Sequence, residues 1–316
     1  MINPPAHAYN ARVLGSLLLF ALCGAVGVLL QRGAHGDVVR ARLWTVNYVV
    51  FIPVAASYAF LTVDLDGTLV AVMACALGAW WLTVALAGAY ARLVAPTRPV
   101  RGALWLVAAF PNTGFIGFPL AHLAFGDDGL RLAIIYDQVS LVVPAIVVAT
   151  IIAQRHVATD GESGPPTSVV RTMLASPPLW TVAVLLVLRL TVVPDPLELD
   201  ALGDVVGAIV GPVGFLLLGL SVPLSGFSHE RREVVELGGA MAIRVLAAPA
   251  LVWVVARVAG VDVPDAMYLI AALPTAFHTL VISRMYGLEV ALVRLGVLVT
   301  SAVVITATVV WVGIAG

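Results

Sequence analysis

Lysine is absent from the chain, so its 17 basic residues are all arginine, set against 18 Asp plus Glu. Charge of either sign is scarce: 11% of residues are charged, where a soluble domain carries about 25%. With 61% apolar residues and a mean hydropathy of +1.05, too few polar side chains remain to cover a compact surface in water, which excludes a soluble globular protein. The near-balance of charge leaves no concentrated basic face, so no nucleic-acid partner is expected. The only cysteines, Cys23 and Cys75, each lie inside an apolar run without metal-binding or redox spacing and read as small core residues. No GxxxxGK(S/T) phosphate loop occurs, which argues against an ATP-driven pump within this chain. His229-Glu230-Arg231-Arg232-Glu233 opens like a zinc-protease motif but lacks the second His. No regularly spaced Arg helix suggests a voltage sensor. Neither an enzyme, nor a metal, nor a cofactor is expected. Met1–Asn10 has two prolines and no basic stretch, so it reads as retained rather than as a cleaved signal.

What the chain does have is long apolar runs. Crossing a hydrocarbon core of about 30 Å takes roughly 20 apolar residues, and ten such runs stand between polar punctuation: 12–31, 43–61, 68–91, 102–125, 130–153, 174–193, 201–224, 235–257, 266–284 and 290–313. The expected fold is an all-α polytopic membrane protein with the lipid bilayer as its surroundings. The longest connection, Gln154 to Arg171, has the Gly, Ser, Pro and acidic composition of a flexible linker. It divides the chain into a five-span half at 1–154, a cytoplasmic linker at 155–173 and a second five-span half at 174–316. An odd number of spans per half makes homologous halves enter the membrane in opposite directions, the inverted-repeat plan of secondary transporters.

Two of the spans carry helix breakers in corresponding places. In Phe110-Pro111-Asn112-Thr113-Gly114-Phe115-Ile116-Gly117, Pro111 removes a backbone donor and disfavours helix just before it, while the glycines tolerate other conformations. In the ninth span, Pro274-Thr275-Ala276-Phe277-His278-Thr279 supplies the matching break, and each span ends in an aromatic-Gly pair, Phe125-Gly126 and Tyr286-Gly287. Broken backbone at membrane depth survives only where protein or a wet cavity satisfies it. Its half-helix N-termini are suited to an anion. Pro111, Asn112, Thr113, Gly114, Pro274, Thr275, His278 and Thr279 are therefore the candidate substrate-binding residues.

The stretch Asn112-Thr113-Gly114-Phe115-Ile116-Gly117-Phe118-Pro119-Leu120 resembles the signature of the auxin efflux carrier family, and Pro274 to Gly287 resembles its counterpart in the second half. The resemblance implies ten helices in two inverted five-helix repeats, similar to the bile acid:sodium symporter fold. It also implies that broken helices 4 and 9 cross at their prolines, that a small organic anion binds beside the crossing, and that the protein forms a homodimer. Plant members export auxin, and bacterial relatives are associated with malate- or malonate-like acids. His278 is a departure, since an imidazole at the second break is not part of that pattern.

Other intramembrane polar residues invite a role. Asp137, within the fifth span, is expensive in lipid unless paired, solvated or protonated, and reads equally as a coupling group or a structural partner. Gln138 beside it and Asn47 in the second span are cavity candidates. Arg244 in the eighth span could oppose an anion, but a snorkelling or salt-bridged arginine fits better. Gly203, Gly207 and Gly211 form a small-residue stripe suited to close helix packing. The leading expectation is a secondary carrier working by alternating access. A sodium-coupled carrier of the bile acid type and a non-transporting receptor on the same fold are the alternatives, with H+ and Na+ both open as coupling ions.

Arginine sets the orientation. Eleven arginines, among them Arg92, Arg98, Arg101, Arg155, Arg171 and Arg284, fall on one side, four (Arg12, Arg131, Arg189 and Arg257) on the other, and Arg244 and Arg294 lie within spans. Both termini are expected outside the cytoplasmic membrane. Cysteines placed at Ser163 and Leu197 in intact cells test this: Leu197→Cys is expected to label from outside and Ser163→Cys only after permeabilisation, and the reverse pattern inverts the topology.

Overall fold

A computed structural model describes residues 6–33, 35–157, 174, 176–221 and 231–315, and among these every regular element is a helix. In chain order they are α1 (Ala6–Arg32), α2 (Gly36–Val46), α3 (Ile52–Thr62), α4 (Gly67–Val94), α5 (Arg98–Ala109), α6 (Phe118–Tyr136), α7 (Ile146–Arg155), α8 (Pro177–Thr191), α9 (Asp200–Ser221), α10 (Arg231–Ala242), α11 (Ala248–Ala259), α12 (Asp265–Ala271), α13 (His278–Met285) and α14 (Val290–Ala315). π-helical turns at Asn47–Phe51 and Ile243–Ala247 join α2 to α3 and α10 to α11 without a break in helical direction. Residues 158–173 and 222–230, which hold most of the linker and its Ser163 and Arg171, lie outside the described set.

Among the described residues, six helices are long and apolar enough to cross a membrane: Gly15–Arg32, Gly36–Thr62, Gly67–Val94, Asp200–Ser221, Val235–Ala259 and Val290–Gly313. The other four runs counted from sequence fall on shorter pieces, for reasons visible in their residues. Run 102–125 is interrupted between α5 and α6, where Pro111 stands, and run 266–284 between α12 and α13, at Pro274. Run 130–153 passes through the wide stretch Asp137–Ala145, which contains Pro144. The α8 helix, within run 174–193, has 15 residues. Gly126 (φ 64°), where α6 is kinked into two parts, and Gly287 (φ 62°) follow the two broken spans, and a positive φ of this kind suits glycine above all other residues.

Buried apolar side chains form two clusters that meet at the breaks. One gathers α6 and α12 with parts of α3, α4, α9 and α11; the other gathers α5 and α13 with the far end of α4, α7, α10 and α14. Phe115 and Leu218 pack against both. Around them, α1 lies along α9, α8 along α3, and α4 against α5 and α11. Arg189 is buried and ties helix ends together: it donates to the Val193 and Pro194 carbonyls (2.9 Å each) and to Val63 (2.7 Å) past the end of α3.

The glycine stripe of α9 accepts a different neighbour at each step. A Cβ would meet the Tyr58 ring at 2.8 Å from Gly203, the His122 ring at 2.8 Å from Gly207 and the Phe20 ring at 1.9 Å from Gly211. At Gly219 it would meet the Gly24 carbonyl oxygen of α1 at 2.1 Å, so here backbone touches backbone. Because that oxygen cannot rotate away, Gly219→Ala is expected to cost about 1–3 kcal/mol by overpacking. Gly238→Ala, with nothing within 4 Å of its Cβ, is expected to be neutral. Thermal unfolding of the two variants in one detergent makes the comparison.

Candidate functional site

The two breaks pair with each other. Phe110–Asn112 and Pro274–Ala276 run antiparallel with a single β-bridge between Pro111 and Thr275. Asn112 N–H donates to the Pro274 carbonyl at 2.7 Å and Ala276 N–H to the Phe110 carbonyl at 2.8 Å. Each proline therefore interrupts its own helix, and the backbone groups so freed are taken up by the other break. Thr275 adds two bonds: its hydroxyl donates to the Val107 carbonyl (2.9 Å), and its N–H donates to the Thr300 hydroxyl (3.0 Å) of α14.

Four helix ends converge at the crossing, and they separate by polarity. The carbonyl ends of α5 and α12 meet at Arg244. This arginine is buried, 2% exposed, and donates through Nη1 to the Ala109 carbonyl at 3.1 Å and through Nη2 to the Ala271 carbonyl. Trp80 Nε1 also donates to Ala109 at 3.0 Å. A cation at two helix C-termini is favourably placed with respect to both dipoles. The sequence reading of Arg244 as snorkelling or salt-bridged is thus corrected: the side chain turns inward and its observed bonds go to carbonyl oxygens. No residue-type pattern could have shown this, because the acceptors are backbone atoms.

The amino ends of the other two half-helices face a cavity of about 170 Å³. Its wall holds Pro111, Asn112, Thr113 and Gly114 from the first break, His278 from the second, and Asp137 and Asn47. Thr113 donates to Asp137 Oδ1, and Gln138 Nε2 donates to Oδ2 at 2.9 Å, so both carboxylate oxygens are engaged inside the protein. Gln138 is itself buried and acts through Asp137 rather than on the wall. Asn112 Oδ1 caps the following turn by accepting from Phe115 N–H at 3.3 Å. Its Nδ2 and the Nε2 of His278 are buried without a hydrogen-bond partner, one on each break.

Pro274, Thr275 and Thr279 do not reach this wall: Pro274 and Thr275 belong to the bridge, and Thr279 donates back to Ala276. The sequence reading missed the aromatic lining, which comprises Trp44, Tyr48, Phe51, Phe115, Phe118 and Phe277. Trp44, Tyr48 and Phe51 are spaced four and three apart, as one face of a helix requires, so a signal existed. It is an ordinary one in a membrane span.

A profile of the family described as membrane transport protein matches residues 43–312. An uncharacterized transporter of Methanocaldococcus jannaschii is 27% identical over 219 residues, covering 66% of this chain and 67% of that protein. An uncharacterized transporter of Methanothermobacter thermautotrophicus is 27% identical over 172 residues, so the match spans about half of each protein, 53%.

Arg244 carries a prediction of its own. Replacing it by Met leaves the Ala271 carbonyl without its guanidinium donor in the interior, at an expected cost of about 1–3 kcal/mol. Arg244→Lys keeps the charge but not the fork that spans two carbonyls, so it is expected to recover only part of the loss. Unfolding midpoints of the three proteins measure this, and a Met variant as stable as the parent removes Arg244 from its bridging role.

Proposed function

Since the chain belongs to the membrane transport protein family, we propose that it is a secondary carrier of a small organic anion, with the substrate bound in the cavity where the two helix breaks cross. Membership makes it an integral membrane transporter rather than an enzyme. The observation that carries the finer reading is that Asn112 and His278, contributed to one cavity wall by opposite halves of the chain, each hold a buried polar atom without a partner, Nδ2 and Nε2. A carboxylate offers two acceptor oxygens. One carboxylate can satisfy both groups, with the positive ends of the half-helices adding to its stabilisation. The surrounding rings accommodate the apolar part of the molecule.

The proposed architecture is ten spans in two inverted repeats, in the cytoplasmic membrane with both termini outside. Matched packing supports it. If the five spans of each half are numbered alike, α1 on α9 corresponds to α8 on α3, α4 on α5 to α11 on α12, and the first part of α6 on α14 to α13 on α7, and all six contacts occur. Alternating access then follows from motion of the crossing, which the paired breaks hold as one unit, relative to α1, α8 and α9.

Coupling is proposed to reside at Asp137, the carboxyl group on the cavity wall. Its bonds to Thr113 and Gln138 place it one residue from the amide of Asn112, where a bound anion and an ionised carboxylate would repel each other. Substrate entry and proton uptake are thereby linked.

The test is a thermal-shift screen of purified protein against mono- and dicarboxylates, followed by flux of the best binder in reconstituted vesicles. Asn112→Ala and Asn112→Ser are both expected to weaken binding by about tenfold to more than a hundredfold, the equivalent of about 1.5–3 kcal/mol for one hydrogen bond to a charged ligand. Ser preserves the cap to Phe115 and therefore separates binding from stability. Asp137→Asn is expected to leave binding measurable and to flatten the pH dependence of uptake at matched protein density. Unchanged binding in both Asn112 variants would place the substrate elsewhere, and an unaltered pH profile would remove Asp137 as the coupling group.

A further inference from the structure

Away from the crossing, where α4 ends and α5 begins, three arginines stand near His156, whose ring packs against the Trp105 indole. Arg92 lies in the last turn of α4, with its guanidinium carbon 5.5 Å from the centroid of the Trp105 ring. Arg98 opens α5, and Arg101 stands one turn before Trp105 on the same helix. The indole is fixed from three sides. Its Nε1 donates to the Val84 carbonyl at 2.8 Å, a Cβ on Gly88 would lie 2.5 Å from the ring, and His156 meets it edge-on at 5.8 Å.

His156, just past the end of α7, has its Nδ1 2.7 Å from the Ile152 carbonyl and so donates there. Burial holds this imidazole below its ordinary pKa, and after burial the coulombic contributions come from Arg101, Arg92 and Arg98. None of the three arginines forms an ion pair with a described residue, and Arg101 Nε is buried without a hydrogen-bond partner. A cluster without an ion-pair partner among the described residues, backed by a fixed aromatic plane, is suited to an anion, and the guanidinium fork matches phosphate geometry. Leu93, adjacent to Arg92, is 85% exposed. An apolar side chain standing beside the cations is what an acyl chain would cover, whereas a free phosphate would gain nothing from it.

We propose that Arg92, which lies over Trp105, together with Arg98 and Arg101 binds the phosphate of an anionic lipid headgroup at the membrane surface on the side where most of the arginines lie. The site stands on the α4–α5 connection, at the start of the half-helix that leads to Ala109 and the first break. A lipid held there would stiffen the entry to that half-helix.

The experiment compares nanodiscs of phosphatidylcholine alone with nanodiscs containing phosphatidylglycerol, reading the thermal midpoint and the number of lipids retained in native mass spectrometry. The wild-type protein is expected to gain stability and retain phosphatidylglycerol in the mixed discs. Each single Arg→Gln change is expected to lower lipid affinity about fivefold, as one juxtamembrane charge does. The triple variant Arg92→Gln, Arg98→Gln, Arg101→Gln is expected to lose the gain, and the corresponding triple Lys variant to keep most of it. Arg40→Gln, whose guanidinium is already paired with Asp37, is expected to respond like wild type. Should the triple variant fail to fold, the retention curve of Arg98→Gln alone carries the test, because Arg98 is exposed at a helix start. A triple or Arg98 variant that retains phosphatidylglycerol like wild type overturns the site. Inorganic phosphate reproducing the gain in phosphatidylcholine discs overturns the lipid as its source.

Discussion

Everything near the centre of this protein depends on the mutual satisfaction of two interrupted helices. A helix broken in hydrocarbon exposes amide groups that no solvent can meet. Here Phe110, Asn112, Pro274 and Ala276 meet each other's needs through two backbone bonds, and Thr275 closes the account toward Val107 and Thr300. The carbonyl ends beside this bridge would repel one another were it not for Arg244, whose guanidinium lies between them. With the negative ends neutralised on one side, the positive ends are left to define the cavity on the other.

This division explains why polar residues of similar appearance have different roles. Asn112, Thr113 and Asp137 stand on the amino-end side and line the cavity; Thr275 and Thr279, equally polar and on a matching break, are spent on backbone carbonyls. The first break also carries a side-chain cap, Asn112 to Phe115, while the second begins α13 without one. The two breaks are alike in plan and unequal in chemistry.

The sequence made the breaks legible because proline and glycine act on the backbone locally. Pro111 and Pro274 interrupt helices whatever surrounds them, and Asn47, Asn112, Thr113, Asp137 and His278 announce themselves as polar groups at membrane depth. Arg244 was visible as a residue but not as a bridge, since its partners are the carbonyls of Ala109 and Ala271, whose side chains say nothing about it. The bonds of Arg189 were hidden in the same way, since they too go to backbone carbonyls. The aromatic wall was hidden in another way: Trp44, Tyr48 and Phe51 look like any ring-bearing face of a membrane helix until the break opposite them is placed. The resemblance to a transport family was likewise legible in the residues around the two breaks, although the family match itself extends over residues 43–312.

Pairing between the halves also bears on how the chain is made. Val107 waits for Thr275, 168 residues later, and Ala109 for Arg244, 135 residues later. At ordinary elongation rates the longer interval lasts roughly 10–30 s. Throughout it the first half, although it looks like a complete repeat, holds an unmatched backbone segment that lipid cannot accommodate. The nascent first half must therefore stay shielded, by water or by the insertion machinery, until its counterpart emerges. Severing the chain between the halves would yield two pieces of which neither could complete itself.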